Sequence, residues 1–431
     1  MIPVPFLKGK RVLVMGLGKS GTATARALLA AGAGVMAWDD GEAGRKAAAE
    51  AGIPIRDPAQ IPLEKADLVV WSPGIPHTHP QPHPVAERVR AAGVPLVCDV
   101  ELLALAKAGS RMLAVTGTNG KSTTTALIHH ILETAGIPAR LGGNIGLPIL
   151  GQDPLPEGGV YVLELSSYQI DLTHSLDCDV AVLLNITPDH LDRYDGFEAY
   201  AASKARLFAM QSRRHAAIIG IGDEPSAAIA REVAASGRGE DLTRIAPGAC
   251  LDQSRWPALQ GPHNAQNALA AIAACRALGI DREAIDRGLE SFPGLPHRME
   301  RVKTRNGVLF VNDSKATNAD STAPALSAYP RIHWILGGKA KTDDLDACRP
   351  GFPHVVKAYT IGDAGEMFAR LLEGEMPVER SGTLDVAVKS AAAHAQPGDV
   401  VLLSPACASF DQFRDYEARG QAFRDAVEAL G

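Results

Sequence analysis

Short apolar runs of strand length alternate with Ala- and Leu-rich helical stretches along almost the whole sequence. Several runs end in Gly, Asn, Ser or Asp and lead into a helix, which is the βαβ pattern of parallel, doubly wound sheets. Ligands of such sheets bind at the carboxyl ends of the strands, so a site is expected in the loops that follow them. The pattern predicts buried strands at residues 11–15, 68–71, 112–115, 160–165, 180–186, 308–311, 333–336 and 400–403.

Gly-rich turns open a helix at two distant places, after the first and after the third predicted strand. Each turn is typical of the start of a separate nucleotide-binding domain. We expect one domain boundary near Val100 and a second near Gly294, in a Pro-rich turn. The chain is therefore predicted to be an α/β protein of three domains. The N-terminal and C-terminal domains are predicted to be Rossmann-like, and the central one to be a P-loop ATPase-type domain with a mainly parallel sheet. The predicted domains are 1–99, 100–294 and 295–431.

Charge and composition exclude several classes of protein. The formal net charge of −6 argues against an extended nucleic-acid surface, which needs a basic face. No apolar run approaches the roughly 18 residues that span a bilayer, and the segment 1–10 lacks the apolar core of a secretory signal. The 6 cysteines are scattered without a CxxC pair, as expected of buried free thiols in a reducing compartment. We expect a cytoplasmic, monomeric protein with no membrane span and no nucleic-acid partner.

The turn at 116–122 has the sequence TGTNGKS and joins a predicted strand to a predicted helix. Backbone N–H groups at a helix N-terminus bind anions, and glycines let the backbone approach phosphate oxygens. Lys121 is placed to reach the β- and γ-phosphates of ATP, and the Ser122 hydroxyl to bind Mg²⁺. Val115 stands where the standard GxxxxGK[ST] motif has its first glycine, so the turn matches a shorter variant. The alternative is a glycine turn with a chance Lys-Ser, which the strand and helix context disfavours.

A second Gly-rich turn, GLGKSG at 16–21, follows the first strand, and the next strand ends beside Asp39. Taken alone, this is a dinucleotide-binding pattern in which Asp39 would meet a ribose hydroxyl. It supports a rival hypothesis, an NAD-dependent oxidoreductase. The same geometry grips any nucleotide diphosphate, including a UDP-sugar. A tight turn that only packs a helix on a strand is the third interpretation.

Polar residues follow two strands that are expected beside the phosphate loop. Glu164 lies near the end of the strand at 160–165, and His190 follows the strand at 180–186. Because the carboxyl ends of parallel strands share one edge, both side chains are expected near the phosphates, where they can ligate Mg²⁺. For His190 alone, the alternative is a helix-start histidine with an ordinary hydrogen bond. Lys204, in a predicted helix, is by itself a surface lysine.

Over essentially its whole length, the sequence resembles the Mur ligases of peptidoglycan synthesis. The shared segments are 116–122, GGNIG at 142–146, ELSSYQ at 164–169, NITPDHLD at 185–192, HNAQN at 263–267 and GLPHR at 294–298. Two further segments resemble the branch of the family that adds glutamate, namely NDSKATN at 312–318 and SPACASFDQF at 404–413.

The resemblance implies an ATP-dependent amide-forming ligase that joins D-glutamate to UDP-N-acetylmuramoyl-L-alanine. Its three domains would bind, in chain order, the uridine diphosphate of the substrate, ATP and the incoming amino acid. A substrate carboxylate attacks the γ-phosphate to give an acyl phosphate, and the amino group then attacks its carbonyl carbon. Lys121 and two Mg²⁺ ions would supply the positive charge that lets two anions meet. The implied cofactors are ATP, Mg²⁺ and a CO₂-derived carbamate on Lys204.

Matching the family's motifs position by position assigns the remaining roles. The implied catalytic residues are Lys121, Glu164, His190, Lys204 and Asn144. The implied metal ligands are Ser122, Glu164, His190 and Lys204. ATP would be bound by Gly117, Thr118, Asn119, Gly120, Lys121, Ser122, Thr123, Asn264, Asn267, Arg298 and Asp313. The UDP-substrate would be bound by Gly18, Asp39, Asp40, Ser72, Gly74 and Asn144. D-Glutamate would be bound by Lys315, Thr317, Lys341, Ser409, Phe410 and Tyr416.

The sequence leaves the amino acid open, since other members of the family add L-alanine, diaminopimelate, lysine or a dipeptide. L-Glutamate is the nearest alternative, because the handedness of the substrate depends on sub-ångström placement around Lys315 and Ser409. From other classes, an NAD-dependent oxidoreductase and a non-catalytic nucleotide-binding module are the competing hypotheses.

Overall fold

The computed structural model describes residues 1–106, 109–246 and 251–431. The chain forms two compact units, one of Met1–Pro247 with Gln266–Leu289 and one of Gly248–Ala265 with Glu290–Gly431. Two sheets lie in the first unit and one in the second. Among the helices of the described ranges, none is both long enough and apolar enough to cross a membrane.

The first sheet contains β1 Arg11–Met15, β2 Gly34–Trp38, β3 Leu68–Trp71 and β4 Leu96–Val97. The strands are parallel in the order β2-β1-β3-β4. The helices in this part of the chain are α1 Lys19–Ala30, α2 Glu42–Glu50, α3 Pro84–Ala91 and α4 Asp99–Ala106. Because β1 lies between β2 and β3, the turn at Gly16 lies beside the loops that follow both neighbours, as a nucleotide site requires.

The second sheet contains β5 Arg111–Thr116, β6 Ala139–Gly143, β7 Val160–Glu164, β8 Val180–Leu183, β9 Ala216–Gly220 and β10 Leu242–Ile245. All its pairs are parallel, in the order β10-β9-β8-β5-β7-β6. The next helices are α5 Lys121–Thr134, α6 Ser167–Asp171, α7 Phe197–Ala209, α8 Glu224–Val233, α9 Pro262–Ala277 and α10 Arg282–Ser291. β5 lies between β7 and β8, so the phosphate loop lies between the loop after Glu164 and the loop that carries His190.

The third sheet contains β11 Glu300–Arg305, β12 Val308–Asn312, β13 Ile332–Gly337, β14 Val355–Ile361, β15 Val378–Gly382 and β16 Val400–Leu403. Its order is β11-β12-β16-β13-β14-β15, and only the pair of β11 and β12 is antiparallel. The helices of this unit are α11 Ala319–Leu326, α12 Gly365–Leu372, α13 Leu384–His394 and α14 Tyr416–Glu428. Because the last strand lies between β12 and β13, the loops after these three strands share one edge.

The α/β class and the parallel sheets predicted from the alternating pattern are confirmed. All eight predicted strands are present, but the strand expected at 180–186 ends at Leu183. It ends early because the main chain turns there to hold the phosphate loop. Helix α1 begins at Lys19, within the Gly-rich segment 16–21. Strands such as β6 and β15, which are rich in glycine or charged residues, contain no clear apolar run, so the sequence pattern did not predict them.

Five of the six cysteines are free and buried, as the scattered pattern predicted, whereas Cys250 lies outside the described residues. The five are Cys98, Cys178, Cys275, Cys348 and Cys407.

Candidate active site

The phosphate loop runs from the end of β5 to the start of α5. Gly120 adopts a left-handed conformation with φ 84°, and a Cβ there would collide with the Oδ1 atom of Asn267. Only glycine fits this position without strain. The next residue, Lys121, starts the 14-residue helix α5. The loop therefore presents the helix N-terminus, whose N–H groups and dipole favour an anion.

Asn185 holds the phosphate loop in shape. Its backbone oxygen accepts a hydrogen bond from Thr118 N at 2.9 Å, and its Oδ1 accepts one from Asn119 N at 2.8 Å. Its Nδ2 donates to the oxygen of Asn119 at 3.1 Å. The sequence assigned Asn185 to a shared motif but gave it no role. A polar residue directly after an apolar strand, next to the strand of the phosphate loop, was the signal that could have identified it.

Two lysines meet at one backbone oxygen of the loop. Lys121 Nζ donates to the oxygens of Gly117 and Thr118, at 2.9 and 2.8 Å. Lys204 Nζ, which comes from α7, donates to the same Gly117 oxygen at 3.1 Å. Its position is buried, with 1% of Lys204 exposed, so the surface lysine that the sequence alone suggested is wrong. The structure thus brings a remote lysine to the phosphate loop.

Burial, together with the nearby positive charge of Lys121, lowers the pKa of Lys204 to about 7. A charged amine loses hydration when it is buried, and an adjacent cation adds repulsion. The Lys204 side chain also lies over the ring of Tyr200, 4.6 Å from its centroid. A lysine with this pKa carries a substantial fraction of neutral, nucleophilic amine near neutral pH.

Glu164 and Asn144 form a pair beside the loop. Asn144 Nδ2 donates to Glu164 Oε1 at 2.9 Å, and its backbone N donates to the Glu164 oxygen at 2.8 Å. The residue before it, Gly143, has φ 88°, and a Cβ there would strike the Glu164 main chain. Glu164 is 2% exposed, and its Oε2 is buried without a hydrogen-bond partner in the described structure.

The unpaired Oε2 of Glu164 fits a metal ligand, because a buried carboxylate oxygen needs a cation or a donor. In the ranges that the structure describes, no group of three or more His, Cys, Asp or Glu side chains could hold a metal ion. Hydroxyl, phosphate and water oxygens are further ligands that Mg²⁺ takes in nucleotide sites. Ser122, the expected hydroxyl ligand, is buried at the start of α5, with 8% exposed.

His190 lies on the loop after β8 and is exposed, with φ 52°. Its ring centroid lies 5.3 Å from that of Tyr168, and its Nε2 lies 3.5 Å from a carboxylate oxygen of Asp189. Arg193 covers the same Tyr168 ring at 4.4 Å and donates to the oxygens of Pro73 and Gly74, each at 3.3 Å. The His190 loop is thereby attached to the loop after β3.

The expected UDP-substrate residues lie in the loops at the carboxyl edge of the first sheet, except Asn144, which follows β6 of the second sheet. Asp39 accepts hydrogen bonds from Leu17 N at 2.6 Å and from Gly41 N at 2.8 Å, so its carboxylate braces the Gly-rich turn. Gly18 caps α1, and Ser72 packs against Gly16.

Asp40 contacts His83 of the neighbouring loop. Its Oδ2 lies 3.1 Å from His83 Nε2, and its Oδ1 accepts a bond from Trp38 Nε1 at 3.3 Å. His83 also caps α3 through Nδ1, which accepts from Val85 N at 3.2 Å. The loops at 39–41 and 72–83 therefore contact each other at the carboxyl edge of the first sheet.

The two asparagines expected at adenine lie one turn apart on α9. Asn267 packs on Gly120 of the phosphate loop. Asn264 donates to the oxygen of Gln260 at 3.0 Å. Both are buried, with 5% and 4% exposed, so α9 contributes polar atoms from an otherwise apolar surface.

In the second unit, Asp313 follows β12 and is buried. Its Oδ2 accepts a hydrogen bond from Ser404 Oγ at 2.8 Å and its Oδ1 accepts one from Met299 N at 3.1 Å. Burial raises the pKa of Asp313 to about 7, against the effect of these bonds and of the charge on Arg298. Arg298 lies between His297 and Met299, which both have positive φ.

Replacing Asp313 by asparagine is expected to stabilise the second unit above pH 7 by roughly 1–4 kcal/mol. The folded pKa is raised, so the wild-type protein is most stable when Asp313 is protonated, and it loses this stability as the pH rises to about 7. Asparagine keeps an acceptor, and Ser404 Oγ also reaches Thr322 Oγ1 at 3.1 Å. Heat unfolding of both proteins between pH 4 and 8 measures the difference. Asp425→Asn, on the exposed side of α14, is the control, and a difference independent of pH would contradict the prediction.

The residues expected at the amino acid lie around the loops of the third sheet. Lys315 Nζ lies 3.8 Å from the ring centroid of Tyr416, and Lys341 Nζ lies 3.5 Å from Thr317 Oγ1. Two lysines near one edge suit a ligand with two carboxylates. The loop after β16 contributes Ser409, which is buried with 2% exposed, and Phe410, which is 69% exposed.

Comparison with known protein families gives matches to two family models. The model of the Mur ligase middle domain matches residues 115–243. The model of the Mur ligase glutamate ligase domain matches residues 297–407. Together they cover more than half of the chain; the first contains Lys121, Glu164 and Lys204, and the second contains Lys315, Thr317 and Lys341.

Curated proteins similar to the chain include three UDP-N-acetylmuramoylalanine–D-glutamate ligases. That of Novosphingobium aromaticivorans is 61% identical and is matched over 100% of this chain and 97% of its own length. That of Paramagnetospirillum magneticum is 55% identical and is matched over 100% of this chain and 99% of its own length. That of Caulobacter vibrioides is 47% identical over 100% and 98%.

Solved structures share the fold at low identity. The UDP-N-acetylmuramate-alanine ligase of Thermotoga maritima aligns with a TM-score of 0.60 at 18% identity, over 98% of this chain and 100% of its own. MurF of Acinetobacter baumannii aligns with a TM-score of 0.57 at 17% identity, over 99% and 93%. Both support the same α/β architecture.

Proposed function

The chain belongs to the Mur ligase family, and we propose that it joins D-glutamate to UDP-N-acetylmuramoyl-L-alanine at the expense of ATP in peptidoglycan precursor synthesis. The full-length similarity to D-glutamate ligases supports the substrates. The single observation that carries the chemistry is the meeting of Lys121 and Lys204 at the Gly117 oxygen, in a loop built for phosphate.

The reaction brings two anions together, so the site must supply positive charge. The carboxylate oxygen of the alanyl substrate attacks the γ-phosphorus of ATP and forms a P–O bond. The bond between the γ-phosphorus and the bridging oxygen breaks, and ADP leaves with its electron pair. The amino group of glutamate then attacks the acyl carbon, loses a proton, and expels inorganic phosphate. Lys121 neutralises phosphate oxygens in the first step, and the N–H groups at the start of α5 orient them.

Asn144 fits the position beside the reacting carboxylate, because its amide is already held by Glu164. Glu164 and Ser122, with His190 and a modified Lys204, would hold Mg²⁺, which supplies Lewis-acid stabilisation of the phosphoryl oxygens when bound. The buried, unpaired Oε2 of Glu164 supports this assignment.

Lys204 is proposed to carry a carbamate. Its neutral amine adds to the carbon of CO₂ and releases one proton, which replaces a cation with an anionic pair of oxygens. Burial supports this step because it favours the neutral amine, and a carbamate oxygen can then ligate Mg²⁺.

The substrates are proposed to occupy separate sheet edges. The uridine diphosphate would lie on the edge formed by Gly18, Asp39, Asp40, Ser72 and Gly74. ATP would lie on the phosphate loop, with Asn264 and Asn267 at adenine and Arg298 and Asp313 completing the nucleotide site. Glutamate would lie among the residues of the third sheet, namely Lys315, Thr317, Lys341, Ser409, Phe410 and Tyr416. The three domains at 1–99, 100–294 and 295–431 belong to the same proposal, as does a monomer working in the cytoplasm.

Release of inorganic phosphate tests the function. We expect release only when ATP, Mg²⁺, UDP-N-acetylmuramoyl-L-alanine and D-glutamate are all present, because the second attack frees the phosphate. Omitting each component in turn and replacing D-glutamate by L-glutamate, L-alanine, L-lysine or diaminopimelate are the controls. Equal release with another amino acid would reassign the substrate. Consumption of NADH without phosphate release would reject the ligase.

A further inference from the structure

Arg419 is the most deeply buried arginine of the second unit, with 1% exposed, and it is not among the proposed catalytic or binding residues. It lies in the first turns of α14, where the helix dipole disfavours a cation. No ion pair joins Arg419 to an Asp or Glu of the described residues. The carboxylates of Asp411 and Asp313 act on Arg419 only from beyond ion-pair distance. A buried cation near a helix N-terminus and without an ion pair departs from local rules of stability, which is typical of functional positions.

The guanidinium of Arg419 joins two loops that are far apart in sequence. Its Nε donates to Ser314 Oγ at 3.0 Å and one Nη donates to the Ser314 oxygen at 2.9 Å. The same Nη donates to the Cys407 oxygen at 2.9 Å, and the other Nη donates to the Ala408 oxygen at 3.3 Å. A planar fork with several fixed donors suits such a junction, whereas an ammonium group does not.

A third loop is attached through the second. Ala408 and Lys339 exchange two backbone hydrogen bonds, at 2.9 and 3.0 Å. The residues next to these anchor points are Lys315, Ser409 and, two positions further, Lys341. Arg419 therefore contacts or braces each of the three loops that carry the expected amino-acid contacts.

We propose that Arg419 is a positioning residue that sets the relative placement of the three glutamate-binding loops and so determines the affinity for the amino acid. The inference rests on the proposed function. The proposed action is indirect, through the Ser314 hydroxyl and the main-chain oxygens of Ser314, Cys407 and Ala408. Burial lowers the pKa of Arg419 only to about 10, so the group keeps its charge and all its donors at neutral pH.

The test measures the KM of each substrate for Arg419→Lys, which keeps a positive charge but not the planar fork. We expect the KM for D-glutamate to rise about 10- to 100-fold, while the KM values for ATP and the UDP-substrate change less than about threefold. Because Lys315 and Ser409 would shift relative to each other, the loss is specific to glutamate. Equal increases in all three KM values, or a fall in kcat alone, would overturn the inference.

Arg238→Lys is the matched control. Arg238 is also buried, with 4% exposed, and also donates to backbone oxygens, those of Phe208 and His215, but it lies in the first unit. It should lower the heat stability without raising the KM for glutamate. A similar rise in both variants would show a general structural effect and reject a positioning role.

A milder variant keeps the proposal testable if Arg419→Lys does not fold. Ser314→Ala removes one of the acceptors of Arg419 and leaves the guanidinium in place. We expect a glutamate KM about 3- to 10-fold higher, with the other KM values unchanged; an unchanged glutamate KM would overturn the inference. Wild-type protein that releases no phosphate with glutamate would instead reject the proposed function, so the two failures are distinguishable.

Discussion

Replacing Lys121 by alanine is expected to lower kcat by about 10³-fold or more, because the positive charge beside the γ-phosphate is lost in the step where two anions react. The Lys121 ammonium already lies within hydrogen-bond distance of two loop oxygens, so it is held in place before the nucleotide binds. Such preorganisation makes a charge effective in the transition state, since little reorganisation is needed during the reaction. The measurement is ATP-dependent phosphate release with all substrates present.

The control for Lys121→Ala is Lys389→Ala, which removes an exposed lysine of α13 that pairs with Asp385 at 3.8 Å. That variant should keep wild-type kcat. Heat unfolding of Lys121→Ala should resemble that of the wild-type protein, because the lysine donates to the loop at its surface. A correctly folded Lys121→Ala protein with full activity would show that the loop at 116–122 does not present the γ-phosphate.

Local patterns in the sequence were sufficient to predict the α/β class, half of the strands and the strand–turn–helix unit that contains the proposed phosphate loop. Alternating apolar runs indicated parallel strands, and a strand, a glycine turn and Lys121 in that order indicated a nucleotide phosphate. The order of the strands then brings Glu164 to the loop, because β7 neighbours β5. These features depend on residues close together in the chain or on a general rule about parallel sheets.

Residues that act across long sequence separations could not be predicted in this way. Lys204 lies 87 positions from Gly117, and without the family resemblance it was interpreted as a surface lysine. Arg419 lies 105 positions from Ser314, and nothing in the local sequence of α14 indicates that its side chain is buried. Asn185 was found in a shared motif, but its bonds to the phosphate loop depend on the neighbouring positions of β5 and β8. Tertiary pairing, and not local propensity, determines each of these contacts.

Replacing Lys204 by alanine is expected to lower kcat about 10²- to 10³-fold. Adding a short carboxylate such as formate or acetate is expected to raise the kcat of this variant about tenfold. The reason is the chemistry of the proposed carbamate. The carbamate oxygens would help to hold Mg²⁺, the alanine variant would lack them, and a small carboxylate would bring an equivalent pair of oxygens. Activity is measured as phosphate release against carboxylate concentration.

The carbamate itself is detected without an activity assay. Wild-type protein equilibrated with ¹³C-labelled CO₂ should show one carbamate signal in its NMR spectrum, and Lys204→Ala should lack it. Since burial lowers the pKa of Lys204 to about 7, the signal should grow as the pH rises from 6 to 8, because the neutral amine is the reacting form. Lys389→Ala should keep the signal. A Lys204→Ala protein that folds, loses activity and is not restored by any carboxylate, together with wild-type protein that shows no carbamate signal, would assign Lys204 to holding the Gly117 oxygen and not to binding a metal.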